Sequence, residues 1–180
     1  MQRYIPILTL LFAATGALTS LLYLMPVPCL LVANFTDSMP RGLYLRRPLS
    51  PLRRDSIVLF RLPDAVWADF GPLMRAWGWS PESGPFVKRV GALPGDRVCL
   101  SGGNLSVNGI SLGRQLHHDT RGNPIPGLDE GCLTVKPGDF LPLSTHSVRS
   151  FDGRYYGPVP TAQVEARVVP LWLLSRGEAI

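Results

Sequence analysis

Hydrophobic positions change their spacing several times along this chain, and each change marks an element. Between Arg3 and Asp37 no charged residue occurs, and Tyr4 to Met25 is a run of 22 residues dominated by Leu, Ile, Ala and Phe, followed by Pro26 and Pro28. About 20 such residues span a hydrocarbon core, so the run predicts a transmembrane helix. A cleavable signal peptide needs only about 7–15 apolar residues before a small-residue site. Ala17-Leu18-Thr19 would serve as one, but the apolar run continues past it, which favours an uncleaved signal anchor over residues 1–28.

Beyond Cys29 the apolar runs shorten to strand length. Leu30–Ala33, Gly42–Leu45, Ser56–Arg61 and Phe86–Val90 read as strands, as do Arg97–Leu100, Leu105–Val107, Gly131–Val135, Asp139–Leu143 and Ala166–Val169. Asn108-Gly109 is a two-residue hairpin turn flanked by Leu105, Val107 and Ile110. Helical spacing occurs once, where Trp67, Phe70, Met74 and Trp77 recur between Pro63 and Pro85. That amphipathic helix would pack on the sheet or lie at a membrane–water boundary, where Trp is favoured. The pattern predicts a predominantly β body over 29–180, with a helical insertion at about 63–85, carried on one transmembrane helix.

Composition narrows this further. The chain has 180 residues, enough for one domain, with 46% apolar and 17% charged positions. The low charge excludes a disordered tail or a charged coiled coil. Its 18 Gly and 18 Pro disfavour a helical bundle. Net charge is +5, from 16 Arg and only Lys88 and Lys136. Arg41, Arg46, Arg47, Arg53, Arg54 and Arg61 cluster, but no nucleic-acid-binding motif accompanies them. They read as a solvated face near anionic headgroups, and no nucleic-acid partner is expected.

The two lysines differ in their surroundings. Lys136, before Pro137-Gly138, reads as an exposed turn residue. Lys88 lies in an apolar strand, with Phe86 and Val90 on its own face. Burial there would disfavour the ammonium and lower its pKa. A neutral lysine can take the proton of a serine hydroxyl, which is a poor nucleophile without a base.

Three islands surround that idea: Thr36-Asp37-Ser38-Met39-Pro40-Arg41-Gly42, then Phe86 to Asp96 (FVKRVGALPGD), then Ser150 to Pro158 (SFDGRYYGP). In this order, after one apolar anchor, they resemble the type I signal peptidase family. DSMPRGLY and SFDGRYYGPV place the resemblance nearest its conjugative-transfer branch, the TraF-type pilin-processing peptidases. The resemblance implies a compact signal-peptidase-like β-sheet body. It implies Ser38 as nucleophile, Lys88 as general base, and Thr36 with the Ser38 backbone N–H as oxyanion hole. Ser150 would orient the lysine, Asp152 and Arg154 would form a bracing ion pair, and Met39 would shape the substrate groove. No metal or organic cofactor is implied.

The chain departs from the general family in two places. The acidic GDNRDN run is replaced by Ser144-Thr145-His146-Ser147-Val148-Arg149, and Gly153 stands where a serine is usual. Other readings stay open on the residues alone. Ser38, His146 and Asp152 could form a triad; His117-His118-Asp119 reads as a surface loop, lacking a third ligand for a metal; Asn34-Phe35-Thr36 is a chance glycosylation sequon.

Counting arginines beside the anchor argues for a cytoplasmic body, but large domains translocate largely regardless of charge. The resemblance implies a periplasmic one, on the inner membrane. In that oxidising space Cys99 and Cys132 could pair, leaving Cys29 as the odd thiol. The expectation is a membrane-anchored serine endopeptidase acting on a membrane-inserted pilin precursor, with water or the pilin's own amine resolving the acyl-enzyme. An accessory general signal peptidase is the rival enzyme reading. A non-catalytic anchored scaffold of a transfer apparatus is the rival of another class.

Overall fold

A computed structural model describes residues 30–79 and 84–174, with isolated positions 13, 15, 16 and 20. The anchor expected over 1–28 therefore lies outside the described residues. Among the described residues no helix is long and apolar enough to cross a membrane. The chain divides into two compact units, Met1–Leu30 and Leu31–Ile180.

The second unit is two antiparallel sheets. The larger has seven strands in the order β1-β2-β11-β3-β4-β9-β10. Its strands are β1 (Leu31–Asn34), β2 (Gly42–Arg47), β3 (Ile57–Phe60), β4 (Phe86–Ala92), β9 (Asp139–Leu143), β10 (Val159–Pro160) and β11 (Val164–Leu173). The smaller runs β7-β6-β5-β8, built from β5 (Arg97–Ser101), β6 (Asn104–Val107), β7 (Ile110–Arg114) and β8 (Gly131–Thr134). Long-range strand β11 threads between β2 and β3, so the sheet closes only when the end of the body returns to its beginning.

Helix α1 (Asp64–Ala76) opens with Asp64 in its first turn and ends with Trp77 at the C-cap. It buries Val66, Phe70 and Met74 in the main core with Val58, Phe60, Val90 and Phe140, and Trp67 packs partly on the same cluster. The helix is thus packed on the body. Its last residue comes just before Trp77, the final apolar position of the expected stripe. A second helix, α2 (Gly153–Tyr156), is a single turn capped by the Asp152 side chain, too short for any periodicity to announce.

Strand positions follow the expected ones, with differences at the ends. Strand β7 completes the Asn108-Gly109 hairpin although its pattern is weak, because pairing with β6 supplies the order that composition does not. β11 runs ten residues, well past the expected end at Val169, because Trp172 and Leu173 pair with Leu43 and Gly42. A second core of Ala92, Leu141 and Leu143 with Val98, Leu100, Leu105 and Val107 joins the backs of β4 and β9 to the small sheet. β4 is therefore covered on both faces.

Candidate active site

The nucleophile candidate sits on the loop between β1 and β2. Asn34 organises that loop. Its side chain is buried, and its Nδ2 donates to the carbonyls of Thr36, Met39 and Pro40 at 3.0, 2.9 and 3.1 Å. Three carbonyls around one nitrogen leave its Oδ1 as the acceptor for the Thr36 backbone N–H and hydroxyl, the latter at 2.8 Å. With its only proton given to Asn34, the Thr36 hydroxyl accepts from Ser38 Oγ, 3.0 Å away. Ser38 is half-buried and faces a groove of about 400 Å³.

Lys88 lines the same groove from the middle of β4, between β3 and β9. Only 2% of it is exposed. Its pKa is lowered from 10.5 to about 8, chiefly by burial, with Asp152 acting to raise it and Arg154 to lower it. Its Nζ donates to Ser150 Oγ at 2.7 Å, in a buried contact. Among the described residues no hydrogen bond joins Lys88 to Ser38. The two meet the same groove, each held by a different partner.

Behind Ser150 lies a buried ion pair. Arg154 donates to both Asp152 carboxylate oxygens at 2.8 Å, and neither side chain is more than 1% exposed. The rest of the guanidinium donates to the carbonyls of Arg114, Ser147, Val148 and Ser150. A guanidinium fork satisfied on every side fixes the 147–150 loop, and with it the Ser150 hydroxyl. Asp152 Oδ2 also accepts the Ser144 N–H, and the Ser144 hydroxyl donates to the backbone carbonyl of Ser38. A continuous polar network thus runs from the Ser38 backbone to the residue that holds Lys88.

Against this geometry, a family model described as signal peptidase, peptidase S26, matches residues 1–173. The chain belongs to that family. A plasmid transfer protein TraF of Escherichia coli is 33% identical over 143 residues, covering 77% of this chain and 80% of its own length. A conjugal transfer protein TraF of Agrobacterium fabrum is 30% identical over 148 residues, covering 71% and 73%. A signal peptidase I of Leptolyngbya laminosa is 30% identical over 128 residues, covering 71% of this chain and 56% of its own.

Within this S26 body one expected placement needs correcting. Met39 does not line the groove: it is 1% exposed and packs with Tyr44, Leu59 and Val87. Its neighbour Ser38 faces the groove, so Met39 turns inward, and Phe35 and Asp37 form the groove wall beside Ser38. Gly153 has a steric cause. A Cβ there would meet Leu141 Cδ1 at 2.6 Å and the Pro142 carbonyl at 2.8 Å, leaving no room for a serine.

The triad alternative is not assembled, because His146 is exposed and Asp152 is bound to Arg154 and Ser144. His117 and His118 are exposed, and Asp119 accepts from Trp77, Arg121 and Asn123 to shape a turn. Lys136 is exposed. Cys99 and Cys132 face each other across β5 and β8 and are joined by a disulfide.

Two residues of this network escaped the sequence reading. Asn34 registers there only as a sequon, although an Asx residue two positions before Thr36 signals a side-chain-ordered turn. Ser144 lies in a run noted only for lacking acids, and nothing local marks its reach to Ser38.

Proposed function

We propose that this S26 protein is a membrane-anchored serine endopeptidase that processes a pilin precursor for conjugative transfer, using Ser38 and Lys88. The observation that carries the reading is Lys88: buried, hydrogen-bonded to Ser150, lowered to about 8, and facing the same groove as Ser38. Residues 1–28 would be the anchor and 29–180 a periplasmic body.

In the reaction, neutral Lys88 Nζ accepts the Ser38 Oγ proton as Oγ bonds to the scissile carbonyl carbon. For this the Ser38 hydroxyl swings from Thr36 toward Lys88, a change substrate binding would drive. The Thr36 hydroxyl, turning from Asn34, and the Ser38 backbone N–H would then hold the oxyanion. The C–N bond breaks, and Lys88 returns the proton to the leaving amine. Ser150 and the Asp152–Arg154 pair keep the lysine in place. Water then attacks the acyl-enzyme, or the pilin's own amine does, giving a cyclic product. Likeness to a plasmid transfer protein and a conjugal transfer protein supports a role in conjugative transfer.

Mass spectrometry of a candidate pilin precursor, co-expressed with the protein or with Ser38→Ala, tests the reading. A mass loss seen only with Ser38 supports the peptidase, and a product one water lighter than the hydrolysed peptide marks cyclisation. An unchanged pilin precursor alongside cleaved general preproteins would shift the assignment to an accessory signal peptidase. Inertness toward both, and toward serine-directed acylating inhibitors, would sink it in favour of a scaffold.

A further inference from the structure

The Ser38–Lys88 groove borders a second cavity. Trp79, Arg149 and Phe151 line the groove and also line a neighbouring recess of about 340 Å³. Trp77, Leu116, Ile125 and Tyr155 complete its apolar wall. The rings brace one another: Trp77 lies 5.5 Å from Trp79 and 5.4 Å from Phe151, which stacks on Tyr155 at 5.4 Å. Edge and stacking contacts of this kind hold a recess in shape before any ligand arrives.

Its polar rim is asymmetric. Asp119 would repel an anion, but its carboxylate already accepts from Trp77 Nε1, Asn123 Nδ2 and the Arg121 and Asn123 backbone N–H groups. Arg149 is different. Its side chain is exposed, and among the described residues it has neither a hydrogen bond nor an ion pair. A free guanidinium beside an apolar recess suits a carboxylate next to a large apolar side chain.

We propose that this recess is a second subsite for the polypeptide held in the catalytic groove, taking a large apolar side chain with an acidic group beside it on Arg149. The proposal rests on the peptidase reading and extends it, placing substrate selection at a distance from the scissile bond. Continuity argues for this occupant: Trp79, Phe151 and Arg149 belong to both surfaces, so a chain leaving the groove past Ser150 meets the recess directly. Trp77 and Trp79 follow directly on α1, and Ile125 comes from the loop between β7 and β8. Much of the recess is therefore built by parts of the chain outside the three islands that carry the chemistry.

The test measures binding apart from cleavage. Peptides from the candidate pilin precursor, shortened one residue at a time from each end, are titrated against the Ser38→Ala protein by fluorescence anisotropy. Burying one large apolar side chain is worth about tenfold or more in affinity, so one truncation step should weaken binding by that factor. Filling the recess with Ile125→Trp, or its exposed rim with Thr120→Trp should the first not fold, should shrink that step below about threefold. Replacing the adjacent acid by its amide should weaken binding to the parent protein but not to Arg149→Gln.

A ladder with no such step, or a step that persists in both filled variants, overturns the subsite. So does loss of affinity by the same factor for every peptide length, the pattern expected if lipid or detergent occupied the recess. Peptides that bind with the step yet are never cleaved by the Ser38 protein would leave the subsite standing and remove the peptidase reading.

Discussion

The seven-stranded sheet carries charged groups in its interior, whereas the four-stranded sheet keeps polar side chains on its surface. Lys88, Ser150, Asp152 and Arg154 are all at most 3% exposed beside the larger sheet. In β5 and β6 the buried positions are Val98, Leu100, Leu105 and Val107, alternating with Cys99, Ser101, Asn104 and Ser106. The small sheet is held by its apolar face and one covalent link, Cys99–Cys132. Around the large sheet, Lys88, Ser150, Asp152 and Arg154 are each held by hydrogen bonds to one another or to backbone carbonyls. Such an interior is costly for stability but lowers the lysine's pKa from 10.5 to about 8, chiefly by burial.

Breaking the buried pair should have the largest effect. Asp152→Ala leaves Arg154 charged and unpaired, and we expect a loss of ~3–5 kcal/mol in urea unfolding. The exposed Asp37–Arg41 pair should contribute under ~1 kcal/mol by the same measurement. Next comes the small sheet. Cys99→Ser with Cys132→Ser opens a loop of sequence separation 33, and the chain-entropy model gives a loss of ~3–4 kcal/mol. Cleavage by the folded fraction should be unchanged, and a lost rate would tie the small sheet to the site.

Lys88→Met should abolish cleavage while stabilising the fold. Because the folded pKa is the lower one, both states hold the proton below about pH 8, and burial is then opposed in full. Between about 8 and 10.5 the folded protein alone releases the proton, so stability climbs with pH. The methionine variant should therefore gain on the order of 2–3 kcal/mol at pH 7, a gain that fades toward pH 10.5. In the parent protein, the acylation rate should rise through an apparent pKa near 8. A rate that rises only above about pH 10 would mean an unperturbed lysine.

Asn34→Ala should lower kcat about tenfold with KM little changed, since it frees the Thr36 hydroxyl and three loop carbonyls. In a double variant with Thr36→Val the two losses should fall short of adding; full additivity would mean that Asn34 acts only on folding. Smallest of all, Lys136→Met should shift stability by under ~0.5 kcal/mol, as expected for an exposed turn residue.

Much of this protein could be read locally. Strand runs, the Asn108-Gly109 hairpin and the α1 stripe come from residue spacing, because neighbours along the chain share a face. Ser38, Lys88 and Ser150 stood out because their islands are compact and ordered. What could not be read were contacts across long separations. Ser144 reaches Ser38 over 106 positions, and nothing near either residue encodes that distance. Met39 was misplaced because a loop, unlike a strand, has no fixed alternation to say which side chain turns inward.

Residue chemistry along the chain thus determined which groups can react and which strands form, since both depend on short-range pattern. Only the tertiary structure decided their burial and partners: that Lys88 is buried, that it is held by Ser150, and that Thr36 is turned toward Asn34. Burial and hydrogen-bond direction are properties of the closed sheet, and the sheet closes only when β11 returns to pair with β2 and β3.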